Sequence, residues 1–319
     1  MAGEIQLNST TMATESSGTI TLSNVNSATN RTNLGLGSMA TQNANAVALT
    51  GGSITGITIV PTTPFSFRNR IINGNLSNPI NQRGAGSITA STGYNYDRWY
   101  YDGSTYLYQG IEDKNVNNGT YVISWEGSGI NAAWKVSTDT TAGNGPDATT
   151  GFTSISNGGT FTVNEGTEYS KHLWIRFDGT LANLDKVQVE EGTVATPFEH
   201  RPYGTELALC QRYYHRYING NQQSIGIGHW WISSAIDTSV TFPVAMRSAP
   251  TLVATSGSNY YYILTAGSVR YISGAFSIGR ASTNAAQLSA SPDVGDTAGR
   301  AGLVASTSAS SSIAFDAEL

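Results

Sequence analysis

The sequence is poor in charge and in cysteine, and both shortages exclude classes of function. Charged residues make up 12% of the 319 residues, with 22 Asp and Glu against 17 Lys and Arg. No cluster of Lys and Arg appears, so a nucleic acid is not an expected partner. Cys210 is the single cysteine, which rules out an intrachain disulfide. We expect its thiol to be a small buried apolar side chain and not a nucleophile.

Long apolar runs are also missing. No stretch of about 18 apolar residues occurs, and no basic segment followed by an apolar one opens the chain. We therefore expect neither a secretion signal nor insertion into a membrane. The chain has 35 glycines with many Ser, Thr and Asn residues, a composition typical of β proteins with many turns. A helical bundle would be richer in Glu, Lys and Leu.

Aromatic residues are absent from residues 1–64. The alternation Thr-Ile-Thr-Leu at residues 19–22 predicts a strand. Further along, isoleucines recur among Gly, Ser and Thr, at Ile54, Ile57 and Ile59. Such sparse aliphatic residues cannot form a core in one chain, but three copies around an axis can share one. We expect a trimerising segment, and a flexible tail is the alternative.

Short strand patterns fill residues 65–203. Runs of β-branched or aromatic residues, bounded by Gly, Asn or Asp, recur at short spacing, which predicts a β-sandwich. The runs are "YNYDRWYYDGSTYLYQG", "TYVISWEG", "AAWKVST", "GGTFTVNEG", "HLWIRFDGT" and "VQVEEG". Ahead of them, an opening strand that ends at an Asn73-Gly74 turn is predicted from Phe65, Phe67, Ile71 and Ile72.

A short helix is predicted after Gly204, with Thr205 as its N-cap. Its apolar face is formed by residues at helical spacing, Leu207, Cys210, Tyr214 and Tyr217. Because "RYYHRY" also alternates as a strand does, we expect one or two helical turns that pass directly into a strand.

The remainder of residues 204–319 shows strand patterns. Two lie around Pro243 and Pro250, "NYYYILTAGSVRYISGAFSIGR" predicts a hairpin, and "SSSIAFDAEL" predicts a final strand.

The run from Val187 to Tyr214, "VQVEEGTVATPFEHRPYGTELALCQRYY", resembles a junction segment of bacteriophage tail fibres and related virion proteins. The resemblance includes the order of its parts: a strand, "EEG", "ATPFEHRPYG" and "ELALCQRYY". The strands before it resemble a carbohydrate-binding-module-like jelly roll, and "FPVAMRSAPTL" after it resembles the terminal domain of the same proteins. The stretch "NRTNLGLGSMATQNANAVALTGGSITGI" resembles attachment and shaft segments of tail fibres, which intertwine in threes.

This resemblance implies an all-β chain in three parts. They are an extended, trimerising virion-attachment segment (1–64), a jelly-roll β-sandwich (65–203) and a smaller C-terminal β-sandwich that forms the distal tip (204–319). The implied protein is a homotrimeric tail fibre or adhesin, located in the virion and assembled in the host cytoplasm. Its N-terminal segment would bind other tail or baseplate proteins, and its C-terminal domain would bind host cell-surface polysaccharide. A purely structural capsid or collar fibre, or a decoration protein, is the alternative.

Motifs for catalysis and metal binding are missing. The sequence has no GxSxG, HExxH or P-loop motif, and its four histidines show no metal spacing. Adjacent Glu190 and Glu191 would point to opposite faces of a strand and cannot act as a pair. We therefore expect no enzyme and no cofactor, and a tailspike polysaccharide hydrolase is a further alternative. Asp139, Asn144 and Asp147 carry oxygen ligands of the kind calcium uses, but at no matching spacing, so we expect a solvated turn and no metal.

Runs of aromatic residues supply the candidates for glycan contacts. Sugars stack on Trp and Tyr, while Asn, Asp and Gln bind their hydroxyl groups. On a strand, about half of a consecutive aromatic run has to face away from the core. We predict contacts from Trp230, Trp231 and Tyr261, ahead of the middle-domain candidates Tyr94, Tyr96, Trp99, Tyr100 and Tyr101. Trp99 itself is expected in the core, with Asp97 and Arg98 beside it.

Overall fold

The chain divides into two compact units, Met1–Val60 and Pro61–Leu319. The computed structural model describes residues 4–7, 10–16, 19–22, 67–137, 151–164 and 172–318. In the first unit an antiparallel sheet is formed, in this order, by β1 (Glu4–Leu7), β2 (Thr10–Ser16) and β3 (Thr19–Leu22). The strand predicted at residues 19–22 is thereby confirmed. The predictions for Ile54, Ile57 and Ile59 lie outside the described residues.

The first β-sandwich of the second unit consists of two antiparallel sheets. Its strands are β4 (Gly93–Tyr94), β5 (Tyr100–Tyr101), β6 (Leu107–Ile111), β7 (Gly119–Glu126), β8 (Ile130–Ser137), β9 (Thr153–Ile155), β10 (Thr160–Val163), β11 (His172–Gly179) and β12 (Asp185–Glu191). One sheet has the order β10-β7-β12, and the other has the order β4-β5-β6-β11-β8-β9. Short 3₁₀ turns lie at Asp113–Asn115 and Leu181–Asn183. Each of the six strand patterns predicted here contains at least one strand.

Alternating side chains of the two sheets form the first hydrophobic core. They include Tyr121, Ile123 and Trp125 of β7 and Leu173, Ile175 and Phe177 of β11. This period of two is the one that strand geometry imposes on a buried face. Trp99 is fully buried in the same core, with its ring centroid 6.1 Å from that of Phe177. Its indole Nε1 donates a hydrogen bond of 2.8 Å to the Asn73 carbonyl. The core position predicted for Trp99 is confirmed.

The opening strand predicted across residues 65–72 is wrong in the part that the structure describes, which starts at Phe67. Phe67 has a φ of +58°, a left-handed conformation that interrupts an extended run. The segment makes one backbone hydrogen bond with β12, from the Arg70 N–H to the Val189 carbonyl at 2.7 Å, and Asn69 Oδ1 accepts the bonds from the backbone N–H groups of Ile71 and Val189. The backbone polar groups are therefore satisfied without a ladder.

The turn predicted at Asn73-Gly74 has a clear steric basis. The chain bends at Asn73, whose φ is +61°. A Cβ atom on Gly74 would lie 2.3 Å from the carbonyl oxygen of Val187. Only glycine allows the chain to pass so close to β12.

The second β-sandwich has one larger and one smaller antiparallel sheet. Its strands are β13 (Tyr214–Asn219), β14 (Ser224–Ile232), β15 (Ala235–Thr241), β16 (Thr251–Ala254), β17 (Tyr261–Thr265), β18 (Ser268–Tyr271), β19 (Ser277–Ala281), β20 (Ala285–Ala290), β21 (Ala301–Ser306) and β22 (Ser312–Asp316). The sheets have the orders β13-β22-β16 and β18-β17-β21-β14-β15-β20-β19. A second hydrophobic core includes Ile225, Trp230, Ile236, Leu288, Val304 and Phe315. The predicted hairpin (β17–β18), the final strand (β22) and the all-β fold class are confirmed.

The predicted short helix is α1 (Tyr203–Gln211), and strand β13 follows it within three residues. Its N-cap is Pro202, so the assignment of Thr205 is wrong, since the helix already contains it. Tyr214 and Tyr217 belong to β13 and not to the helix face. Cys210 is buried as predicted, and burial raises the pKa of its thiol well above the ordinary value.

Helix α1 packs against the outer face of the six-stranded sheet. Cys210 and Tyr213 share a third hydrophobic cluster with Tyr108 of β6 and Trp174 of β11. Because β13 begins directly after this segment, the contact fixes the start of the second sandwich against the first.

A buried ion pair also joins the two sandwiches. Arg98, next to the core residue Trp99, is fully buried and pairs with Glu318, which follows β22 and is equally buried. Arg83 contacts the same carboxylate at 3.3 Å. The Arg98 guanidinium also lies 3.6 Å from the centroid of the Tyr213 ring. Asp97 and Arg98 thus lie in the interior together with Trp99.

We predict that Glu318→Gln lowers the free energy of unfolding by about 3–5 kcal/mol, because it leaves the Arg98 charge buried without a counter-charge. The matched control is Glu126→Gln, which removes the partner of Lys186 from an exposed pair and should change stability little. Urea unfolding of the full chain measures both. Equal effects of the two substitutions would show that the buried pair does not hold the sandwiches together.

A second buried carboxyl group makes stability depend on pH. Burial raises the pKa of Asp97 from its ordinary 3.8 to about 7, although hydrogen bonds from Gln82 and the charge of Arg83 oppose the shift. The folded protein therefore binds a proton that the unfolded chain has lost between these two pH values. The contribution of Asp97 is present below pH 3.8 and is lost as the pH rises to about 7.

We expect Asp97→Asn to remove this dependence, since the amide stays neutral. Between pH 5 and pH 8 the wild type should lose about 2–3 kcal/mol of stability relative to the variant. Urea unfolding across this range tests it, with Asp293→Asn at an exposed position as the control for the loss of a carboxylate. Parallel profiles for the wild type and Asp97→Asn would contradict the prediction.

Candidate functional site

The three residues predicted to contact a glycan lie on opposite faces of the seven-stranded sheet. Trp230 and Tyr261 are fully buried in the second core. Trp230 donates a hydrogen bond from Nε1 to Thr265, and the Tyr261 hydroxyl donates one of 2.6 Å to the Ser312 carbonyl. A glycan cannot reach either side chain, so the structure corrects the prediction for both. The alternation of the strands directs them into the core.

Trp231 is exposed, with 53% of its surface accessible. The pairing of β14 with β15 shifts between Trp230, opposite Ile236, and Ile232, opposite Ala235. Trp231 is therefore the extra residue of a β-bulge, an irregularity that redirects a side chain. Its indole lies on the outer face of the sheet.

Two shallow depressions flank Trp231. The first, of about 390 Å³, is lined by Trp231 and small residues: Ala235, Ser273, Gly274, Ala275, Ser277, Ser289, Ala290 and Ser291. The second, of about 340 Å³, is lined by Trp231, Asp237, Gly279, Arg280, Gln287 and Ser289. We call Trp231 and these two depressions the Trp231 surface.

A chain of hydrogen bonds spans the second depression. Arg280 Nη1 donates to Gln287 Oε1 at 2.7 Å, and Gln287 Nε2 donates to Asp237 Oδ2 at 2.5 Å. The Ser289 hydroxyl donates to Asp237 Oδ1 at 2.5 Å. Register explains the proximity, because Ser289 lies opposite Asp237 in the ladder of β15 and β20. The carboxylate, amide and guanidinium are thus held in fixed positions beside the indole.

Sequence reasoning missed the polar half of this surface. Asp237, Arg280, Gln287 and Ser289 come from three strands and share no sequence motif. The available signal was alternation, which places Asp237 and Ser239 outward between the buried residues of β15. Alternation shows which residues of β15 face outward, but not which residues of the neighbouring strands lie beside them.

Most of the aromatic candidates of the first sandwich pack against hydrophobic clusters: Tyr96 and Tyr101 against the first core, and Tyr100 against the third cluster. Tyr94, Tyr96, Tyr100 and Tyr101 are half-buried, and Trp99 is in the core. Tyr94 and Tyr100 contact each other edge to face, with centroids 5.3 Å apart. All five are less exposed than Trp231.

The junction motif has a structural role in the described chain. Glu199 accepts a hydrogen bond of 2.9 Å from the Asn69 backbone, and Arg201 donates to the carbonyls of Asn69 and Ile71. Glu206 of α1 accepts from Arg201 at 3.2 Å. These bonds fasten the start of the first sandwich to the helix.

The adjacent side chains of Glu190 and Glu191 do not lie together as a pair of carboxylates. Glu190 is buried beside Arg68 and Thr196, whereas Glu191 is exposed, as their alternation predicts. Asp139, Asn144 and Asp147 lie outside the described residues. Within the described ranges no group of three or more His, Cys, Asp or Glu is placed to hold a metal ion.

No family model matches the chain, and no curated protein or solved structure matches it. In the described part, no helix is both long and apolar enough to span a membrane. The functional assignment of the Trp231 surface therefore rests on its own chemistry.

Proposed function

We propose that this chain is a homotrimeric bacteriophage tail fibre or adhesin that binds host cell-surface polysaccharide at the Trp231 surface. Its N-terminal segment attaches to tail or baseplate proteins of the virion, as the resemblance of residues 1–64 implies. The observation that carries the binding role is an exposed indole held beside a fixed network of polar groups.

The composition of the surface supports a sugar ligand. The apolar face of a pyranose stacks on an indole, and its hydroxyl groups need donors and acceptors around the ring. Arg280 supplies donors, whereas the Ser289 hydroxyl, whose hydrogen is donated to Asp237, supplies an acceptor oxygen, as do the remaining lone pairs of Asp237 and Gln287. Both depressions are shallow and open, which suits one or two units of a long polymer that passes across the surface.

An apolar row on the same sheet supports self-association. Leu264 lies opposite Val269 on one side and Leu303 on the other, and Leu303 lies opposite Ile227. Ile227, Leu264 and Val269 are 70%, 36% and 44% exposed, and the row holds no charged residue. Contact with another copy would remove this row from water.

Weak individual sites are sufficient in such an assembly. A shallow site that covers one face of a sugar is expected to bind with a Kd on the order of millimolar. Three linked sites on a repetitive polymer gain affinity because the second and third contacts are intramolecular. A purely structural fibre or decoration protein is the alternative, and it requires no ligand at Trp231.

We predict that Trp231→Ala weakens binding to immobilised bacterial surface polysaccharides at least tenfold. Loss of one aromatic stacking contact costs about 1 kcal/mol per site, and three linked sites compound the loss. The matched control is Tyr203→Ala, which removes an exposed aromatic side chain at the start of α1. Biolayer interferometry with the full chain measures the binding. Equal binding of the wild type and Trp231→Ala, with assembly intact, would favour the structural alternative.

We predict that sedimentation of the full chain gives about three times the monomer mass of 33.7 kDa. In this trimer, the double substitution Ile227→Thr with Leu264→Thr should lower the melting temperature by several degrees, because it weakens apolar contact between copies. Val253→Thr, an exposed position on β16 outside the row, is the control. A monomer or dimer would refute the trimer. Equal melting temperatures for the wild type and all variants would show that the apolar row does not lie in the interface between copies.

A further inference from the structure

We propose that the Trp231 surface has two subsites of different charge, and that Arg280 makes the second one select an anionic sugar unit. This inference rests on the proposed function and specifies the class of polysaccharide. The expected ligand alternates, or closely combines, neutral units with units that carry a carboxylate or phosphate.

The first depression has the chemistry of a neutral subsite. Apart from Trp231, its described lining consists of Ser, Gly and Ala residues, without a charged side chain. Serine hydroxyl groups exchange hydrogen bonds with sugar hydroxyls, and the small residues leave room for the ring. A charged substituent would find no counter-charge here.

The second depression has the chemistry of an anion subsite. Arg280 is exposed and donates one of its five N–H groups to Gln287; the described residues show no other hydrogen bond from it. Its remaining donors are available for a fork-shaped contact with a carboxylate or phosphate. An incoming ligand meets Arg280 before Asp237, because Asp237 is half-buried and both its oxygens accept hydrogen bonds from the protein.

The hydrogen bonds that run from Asp237 through Gln287 position the guanidinium of Arg280. Because Gln287 donates to Asp237 from Nε2, its Oε1 is the atom that faces Arg280. This order fixes the orientation of the amide and supplies an acceptor for the arginine. A free arginine on an exposed strand would lose more side-chain entropy on binding.

A second β-bulge places Arg280 beside the depression. In the ladder of β19 and β20, Ile278 lies opposite Leu288 and Ala281 lies opposite Ala286. Gly279 and Arg280 therefore share a single opposing residue, Gln287. The bulges at Trp231 and at Gly279-Arg280 lie on either side of the pair β15–β20, and both residues line the same depression. Two independent irregularities that converge on one surface indicate a built site.

Gly279 keeps this subsite open. A Cβ atom at this position would lie 3.5 Å from Gln287 Oε1 and 3.6 Å from Ser289 Oγ, in ordinary contact. A Cβ atom is therefore tolerated by the neighbouring atoms, but a larger side chain would cover the hydrogen-bonded groups of Gln287 and Ser289. Gly279→Val fills the subsite without changing any charge.

The test uses full-length protein and a panel of bacterial polysaccharides, each with its anionic groups intact or removed. Carbodiimide-mediated reduction converts carboxylates to alcohols, and hydrofluoric acid removes phosphodiester-linked substituents from polymers whose backbone contains no phosphate, so the two sources of charge are distinguished without shortening the chain. We expect the wild type to bind an acidic polysaccharide, and we expect its affinity to fall at least tenfold when the charged groups of the polysaccharide are removed. Arg280→Gln and Gly279→Val should bind the intact polymer as weakly as the wild type binds the neutralised one. Arg300→Gln, an exposed arginine paired with Asp296, is the control.

The outcomes separate this inference from the proposed function. If Trp231→Ala abolishes binding but the wild type binds neutral and acidic polymers equally, the anion subsite is wrong and the glycan surface stands. The same holds if Arg280→Gln leaves the preference for acidic polymers unchanged. If Trp231→Ala has no effect on any polymer, both the surface and its subsite are wrong.

Discussion

The buried charge of Arg98 is the constraint on which the connection between the two sandwiches depends. A guanidinium in an apolar interior requires a counter-charge, because desolvation of an unpaired ion costs several kcal/mol. That counter-charge comes from Glu318, 220 residues further along the chain and beyond the last strand. The first sandwich is therefore complete only when the second has folded against it. Helix α1 adds apolar contact at the same junction, so the outer face that carries Trp231 is fixed relative to the first sandwich.

Much of the strand content could be predicted because its physical cause is local. The alternation through Tyr121, Ile123 and Trp125 is visible in the sequence, and the core follows it. The prediction of an opening strand was wrong for a non-local reason. The side-chain oxygen of Asn69 accepts a hydrogen bond from the backbone of Val189, on the distant strand β12, as well as one from Ile71. Arg98 was expected to flank the core because charged residues usually do so. Its burial depends on Glu318, which no local pattern connects with it.

The candidate site shows the same division between local and non-local causes. Adjacent tryptophans imply that one faces outward, but alternation alone cannot choose between Trp230 and Trp231 without the register. The register depends on a bulge, and the polar partners depend on how three further strands align. Arg280 reaches the surface through a second bulge of this kind. Sequence predicted an outward-facing aromatic residue in the second sandwich, and the ladders determined which side chains lie beside it.

A shallow surface and a rigid junction belong together in the proposed adhesin. An open depression covers only part of a sugar, so the affinity of each site is limited and repetition has to supply the remainder. Repetition is effective when the linked sites are held at separations that the polymer can match, since flexible connections add an entropic cost to each further contact. The ion pair of Arg98 and Glu318 contacts no ligand, yet it fixes the Trp231 surface to the rest of the second unit. In the proposed adhesin it would act on binding only through this geometry, and salt screens a buried pair much less than an exposed one.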